Sequence, residues 1–100
     1  MIPVEKVKSI IDTYSKLEKD LASSNIDKKD FVAKSKEYSS IGEVINEARG
    51  YVGFENERID LQKIIDEKGG DEEMIRLAEK ELYNLSENKE IYEKKLKVFL

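Results

Sequence analysis

Four glutamates, Glu72, Glu73, Glu79 and Glu81, crowd into ten residues and are the densest set of side chains here that could do chemistry. Carboxylates so placed can act as acid and base or offer oxygens to a divalent cation. In helical bundles, metal-binding carboxylates normally come with His on facing helices or sit in tight oxygen-rich loops. The sequence has no His, so Asp71-Glu72-Glu73 reads instead as a cluster that caps a helix and opposes its dipole. Lys28 and Lys29 could meet phosphate, but Asp27 and Asp30 flank them, and the group reads as an ordinary solvated turn. In Ser35-Lys36-Glu37-Tyr38, Tyr38 falls on an apolar stripe, where a ring is buried while its hydroxyl finds a partner at the wet margin. No catalytic, cofactor-binding or metal-binding residue is therefore assigned, and the sequence does not single out a partner-binding face.

Composition narrows the chemistry further. The chain has 100 residues, no Cys, no His, no Trp and a single Pro, with 40% charged and 39% hydrophobic residues. That excludes a zinc finger, haem held by His or Cys, a thiol nucleophile and a Ser-His-Asp triad. Disulfides are ruled out, so nothing indicates an oxidising compartment, and a reducing cytoplasm or organelle interior is allowed. No run approaches the roughly 18 apolar residues of a membrane span, so no membrane partner is expected. Net charge is −4, and division after residues 26 and 68 leaves no basic third. Phosphate binding rests on clustered Lys and Arg, so direct recognition of nucleic acid by these residues is not expected.

The elements that must carry these side chains are helical. Val7, Ile10, Tyr14, Leu17 and Leu21, with Val4 and Ile11 beside them, recur at spacings of three and four, which predicts one helix with Pro3 in its first turn. Ala22-Ser23-Ser24-Asn25 is a connection. Asp27 is the expected N-cap of the second helix, with Ile26 and Phe31 as a hydrophobic staple. Its stripe runs through Phe31, Tyr38, Ile41, Ile45, Ala48, Val52 and Ile59, interrupted by Lys34 and Glu55, and Leu61, Ile64 and Ile65 resume it. Gly50 and Gly53 each weaken a helix by about 1 kcal/mol relative to Ala, which predicts a kink or break between them. Gly69 is the expected C-cap glycine. The last helix carries Ile75, Ala78, Leu82, Leu85, Tyr92, Leu96 and Phe99 on one stripe, widened by Met74 and Leu77. Glu72–Arg76, Glu90–Lys94 and Glu93–Lys97 are its expected i,i+4 pairs. The prediction is all-α: an antiparallel, coiled-coil-like three-helix bundle forming a single domain over residues 1–100. Lys97-Val98-Phe99-Leu100 carries the apolar pattern on without a stop signal, and the chain is expected to be part of a longer protein.

Ser35-Lys36-Glu37-Tyr38 followed by Ile41, then Asp71-Glu72-Glu73-Met74 with Leu77-Ala78-Glu79-Lys80-Glu81-Leu82, resemble the amino-terminal domain of the peptide chain release factor 1 family. Tyr14, Leu17, Glu18 and Leu21 fit the first helix of that family, and Leu96 with Leu100 resemble the end of its third. The resemblance covers essentially the whole chain and lies in the order and spacing of several short motifs. It implies a parent protein that reads stop codons on the ribosome and promotes hydrolysis of peptidyl-tRNA through Pro-x-Thr and Gly-Gly-Gln motifs on later domains. Neither motif is present here, and Gly69-Gly70-Asp71 lacks the Gln, so these residues are expected to have no enzymatic activity and to need no cofactor. What the resemblance implies for this part is docking near the stalk base of the large ribosomal subunit, and contact with the methyltransferase that modifies the Gln of the absent motif. Two alternatives remain: the related domain of release factor 2, and a free-standing coiled-coil adaptor or small helical chaperone. At residue level, Tyr38 and Leu82 are expected in the core and Lys29 outside it.

Overall fold

A computed structural model describes all residues from Met1 to Leu100. It contains four helices: α1 (Val4–Ala22), α2 (Lys28–Gly42), α3 (Ile45–Asp66) and α4 (Glu72–Phe99). The all-helical bundle class holds, but the count of three does not, because the expected middle helix is two. The division also lies away from the expected Gly50–Gly53 break. α2 ends at Gly42; the N–H groups of Glu43 and Val44 donate to the Ser40 and Ile41 carbonyls, and Val44 leaves helical geometry at φ −122°, ψ 3°. This turn resets the helical phase, so the adjacent residues Val44 and Ile45 are both buried, which one uninterrupted amphipathic stripe does not favour.

α3 runs unbroken through both glycines, and Gly50 has a different role from a breaker. A methyl group there would lie 2.5 Å from Cε2 and 2.8 Å from Cζ of Tyr92, so the missing side chain lets the α4 ring approach the backbone of α3. At Gly53 the nearest such neighbour is the Glu57 carboxylate, 3.8 Å away, and nothing in the packing demands glycine. The C-cap of α3 is Glu67, in extended geometry, and not Gly69 as expected; Gly69 lies two residues further on, where φ +74°, the only positive φ in the chain, turns it towards α4.

The helices form two hairpins joined at a common base. α1 and α2 run antiparallel: Lys34 pairs with Asp20 at 2.8 Å, and the Tyr14 and Tyr38 rings stack at 4.4 Å between centroids. α3 and α4 form the longer hairpin, and their base meets α1. There Ile2, Val7, Val44, Ala48, Tyr51 and Leu96 form the larger buried cluster, while Leu17, Ile41 and Ile45 form the smaller. Tyr51 closes the larger one with two bonds, since its hydroxyl donates to the Ile2 carbonyl at 2.7 Å and accepts from the Ile2 N–H at 3.2 Å. Beyond Phe54 and Lys89 the α3–α4 hairpin projects as an arm in which Ala78 is the only fully buried side chain. The result measures 61 × 27 × 19 Å, with a radius of gyration of 18.2 Å, against about 13 Å for a compact domain of 100 residues.

Candidate interaction surface

The concave places are shallow and open. Residues Gln62, Ile65, Glu79, Leu82, Tyr83, Ser86 and Glu87 line a furrow between the arm helices, and Ser9, Ile10, Thr13, Glu37, Ser40, Ile41 and Phe99 line another at the base. No three His, Cys, Asp or Glu side chains gather as metal ligands. Glu72, Glu73, Glu79 and Glu81 are all exposed along α4, spread rather than convergent. Asp71 caps that helix through its carboxylate, which accepts from the Glu73 N–H at 2.9 Å. The expected cap at Asp27 differs: the residue holds the N-cap position of α2, but its side chain makes no capping hydrogen bond. Its staple partner Phe31 is exposed as well.

Charged side chains that interrupt the apolar stripes are accounted for by local pairing. Lys34 reaches Asp20, and this hydrogen bond holds the Asp20 carboxyl below and the Lys34 ammonium above their ordinary values. Glu55 accepts from Arg58 at 2.9 and 3.1 Å and is lowered by it. Glu47, at the junction, accepts from Lys95 at 2.9 Å, and that bond lowers its carboxyl too. The ion pairs found are Lys8–Glu5, Lys34–Asp20, Arg58–Glu55, Lys89–Glu93 and Lys95–Glu47. None is an i,i+4 pair expected for α4; Glu93 turns back to Lys89 instead of reaching Lys97. Tyr38 is half-buried, not a full core residue; its hydroxyl donates to Glu18 at 2.9 Å. The Tyr14 hydroxyl and the Glu18 carboxylate beside it hold the Tyr38 phenol well above its usual range. Leu82 is half-buried as well, because the arm has no third helix to cover it.

Spatial grouping exposes a charge separation that division by sequence conceals. Residues 55–90, the arm, hold twelve acidic and six basic side chains, whereas the rest of the chain holds ten acidic and twelve basic. Met74 and Leu77 lie on the acidic arm with more than half their surface exposed, although the α4 pattern places them at the widened edge of the buried stripe. Sequence reasoning also missed Ile2, Val44, Tyr51 and Phe54 as buried residues. The aromatic spacing of Tyr51 and Phe54 was available as a signal, but a single register carried across residues 43–44 hid it.

Such geometry defines an elongated helical domain whose chemistry is spread over surfaces, not gathered in a pocket. The chain belongs to the PCRF domain family, whose model matches residues 10–100. It is similar to peptide chain release factor 1 of Pelagibacter ubique, 47% identical over the whole chain and over 28% of that protein. Peptide chain release factor 1 of Streptococcus gordonii is 32% identical and that of Streptococcus equi subsp. equi 33% identical, each over 96% of this chain and 27% of the relative. The chain thus spans about a quarter of the length of these relatives. The resemblance to the amino-terminal domain of release factor 1 holds, and factor 1 stands over factor 2. No solved structure matches the chain significantly, and no helix is long and apolar enough to cross a membrane.

Proposed function

We propose that these 100 residues are the amino-terminal interaction domain of a translation termination factor, with codon reading and peptidyl-tRNA hydrolysis carried by other parts of a longer cytoplasmic protein. The single observation that carries this reading is the match over residues 10–100 to the PCRF domain. The architecture supports it: a domain that docks needs a rigid base and an accessible surface, and this one has a packed junction and a projecting arm. The partner is the ribosome, at the stalk base of the large subunit. The glutamine methyltransferase that acts on release factors is a second partner. These residues supply no catalysis of their own.

Cosedimentation of the chain with large subunits, alongside a peptide-release assay on stop-codon complexes, tests the proposal. Saturable association without release is the expected result. Codon-dependent hydrolysis by the 100 residues, or no association at low salt, overturns it.

A further inference from the structure

α2 presents a face that the fold leaves unused. Of its side chains only Ile41, near the end, is fully buried. The helix is held to α1 through Lys34–Asp20 and Tyr38–Glu18, contacts that leave Phe31 46% and Val32 49% exposed near its start. Lys28, Val32 and Lys36 succeed one another at i,i+4 spacing and so share one face. With Asp27, Lys29 and Ala33 they line a shallow groove. None of the three lysines has an ion-pair partner in the chain, a condition shared with most of its lysines, but these three are gathered on one groove. In sequence, Lys28 and Lys29 are flanked by Asp27 and Asp30; the fold adds Lys36 to them, keeps Asp30 out of the groove, and leaves Asp27 as its only acid.

We propose that this face binds an acidic amphipathic helix of a partner protein, its apolar side chains on Val32 and Ala33 and its carboxylates on Lys28, Lys29 and Lys36. Charge complementarity selects the sign of the partner. The apolar centre selects its class, because a recognition patch for protein has an apolar middle and a polar rim, whereas phosphate contact needs only the cations and gains nothing from an exposed valine. The dipole at the start of α2 adds to the preference for carboxylates, since Asp27 leaves the first-turn amides without a side-chain cap. The proposal is independent of the termination reading, because it rests on the groove and not on the family.

Fluorescence anisotropy with the intact 100-residue chain provides the test. The probe is a labelled 18-residue helical peptide carrying a leucine stripe flanked by glutamates; the comparison probes are the same stripe flanked by lysines and an RNA hairpin. Saturable binding of the glutamate peptide is expected, weakening with added salt and at least tenfold tighter than the lysine peptide. Combined Lys28→Glu, Lys29→Glu and Lys36→Glu substitutions should weaken it tenfold or more, as should Val32→Ser alone, while Lys63→Glu on the arm leaves it within twofold. Circular dichroism of each variant confirms retained helix. Equal affinity for both peptides, tighter binding of the RNA hairpin, unchanged affinity in the triple variant, or sedimentation showing the face already occupied by a second copy of the chain would each overturn the proposal.

Discussion

The base and the arm of this molecule are made from the same two helices and differ in what covers them. At the base, α1 packs against α3, and Leu96 and Val7, in one cluster, are completely enclosed. Along the arm the same helices face only each other, so a stripe of similar composition yields half-buried leucines and one buried alanine. An apolar stripe specifies a helix face; the third neighbour decides whether that face becomes a core.

The largest effects should separate the two regions by truncation. Leu96→Ala is expected to cost about 2–5 kcal/mol, since it removes buried area and leaves a cavity in the main cluster. Leu82→Ala, half-exposed on the arm, should cost about 1–2 kcal/mol. Urea unfolding of both variants gives the comparison, and equal midpoints would mean that the arm is as well covered as the base.

The two glycines of α3 sharpen it next. Gly50→Ala forces a methyl group into the Tyr92 ring, and overpacking of this kind costs about 1–3 kcal/mol, part of which the gain in helix propensity offsets. Gly53→Ala meets no such obstacle and should stabilise by up to about 1 kcal/mol. Opposite shifts in thermal midpoint are expected, and a stabilised Gly50→Ala variant would show that Tyr92 moves aside freely.

The smallest effects are electrostatic. Glu47 is lowered by Lys95, so the stability it contributes is present above the ordinary carboxylate range and lost as pH falls through its depressed value. Glu47→Gln should flatten the loss of stability between pH 5 and pH 3 by less than about 1 kcal/mol, the pair being partly solvated. Glu55→Gln should change that profile less, because Glu55 pairs with Arg58 one turn away on the same helix and joins no two elements. Acid titrations of the two variants that superimpose would remove the distinction.

Much of this architecture was legible beforehand, and the reasons for the failures are local. The α4 stripe from Ile75 to Phe99, the connection after Ala22 and the turn at Gly69 were all readable, because each depends on short-range periodicity or backbone freedom. The division at residues 43–44 was not, since it depends on Val44 and Ile45 both finding cover from α1, a long-range fact. Gly50 was misread for the same reason: glycine in a helix signals either a break or a close approach, and only the position of Tyr92 decides between them. Of the proposed binding face, Lys28 and Lys29 were visible in the sequence. Their company with Val32 and Lys36 needed a helix phase, and their freedom from partners needed the packing of α1.

The main cluster joins Ile2 and Val7 to Leu96 across nearly the whole chain. Contacts of such long sequence separation form late, because a large loop must close before they reward it. During synthesis, which proceeds from the amino terminus, the α1–α2 hairpin can assemble from its own residues and the arm from its own. The base must wait: a nascent chain that has not yet released Leu96 can hold all of its turns and most of its helices, yet Ile2, Val7, Val44 and Tyr51 remain without their lid.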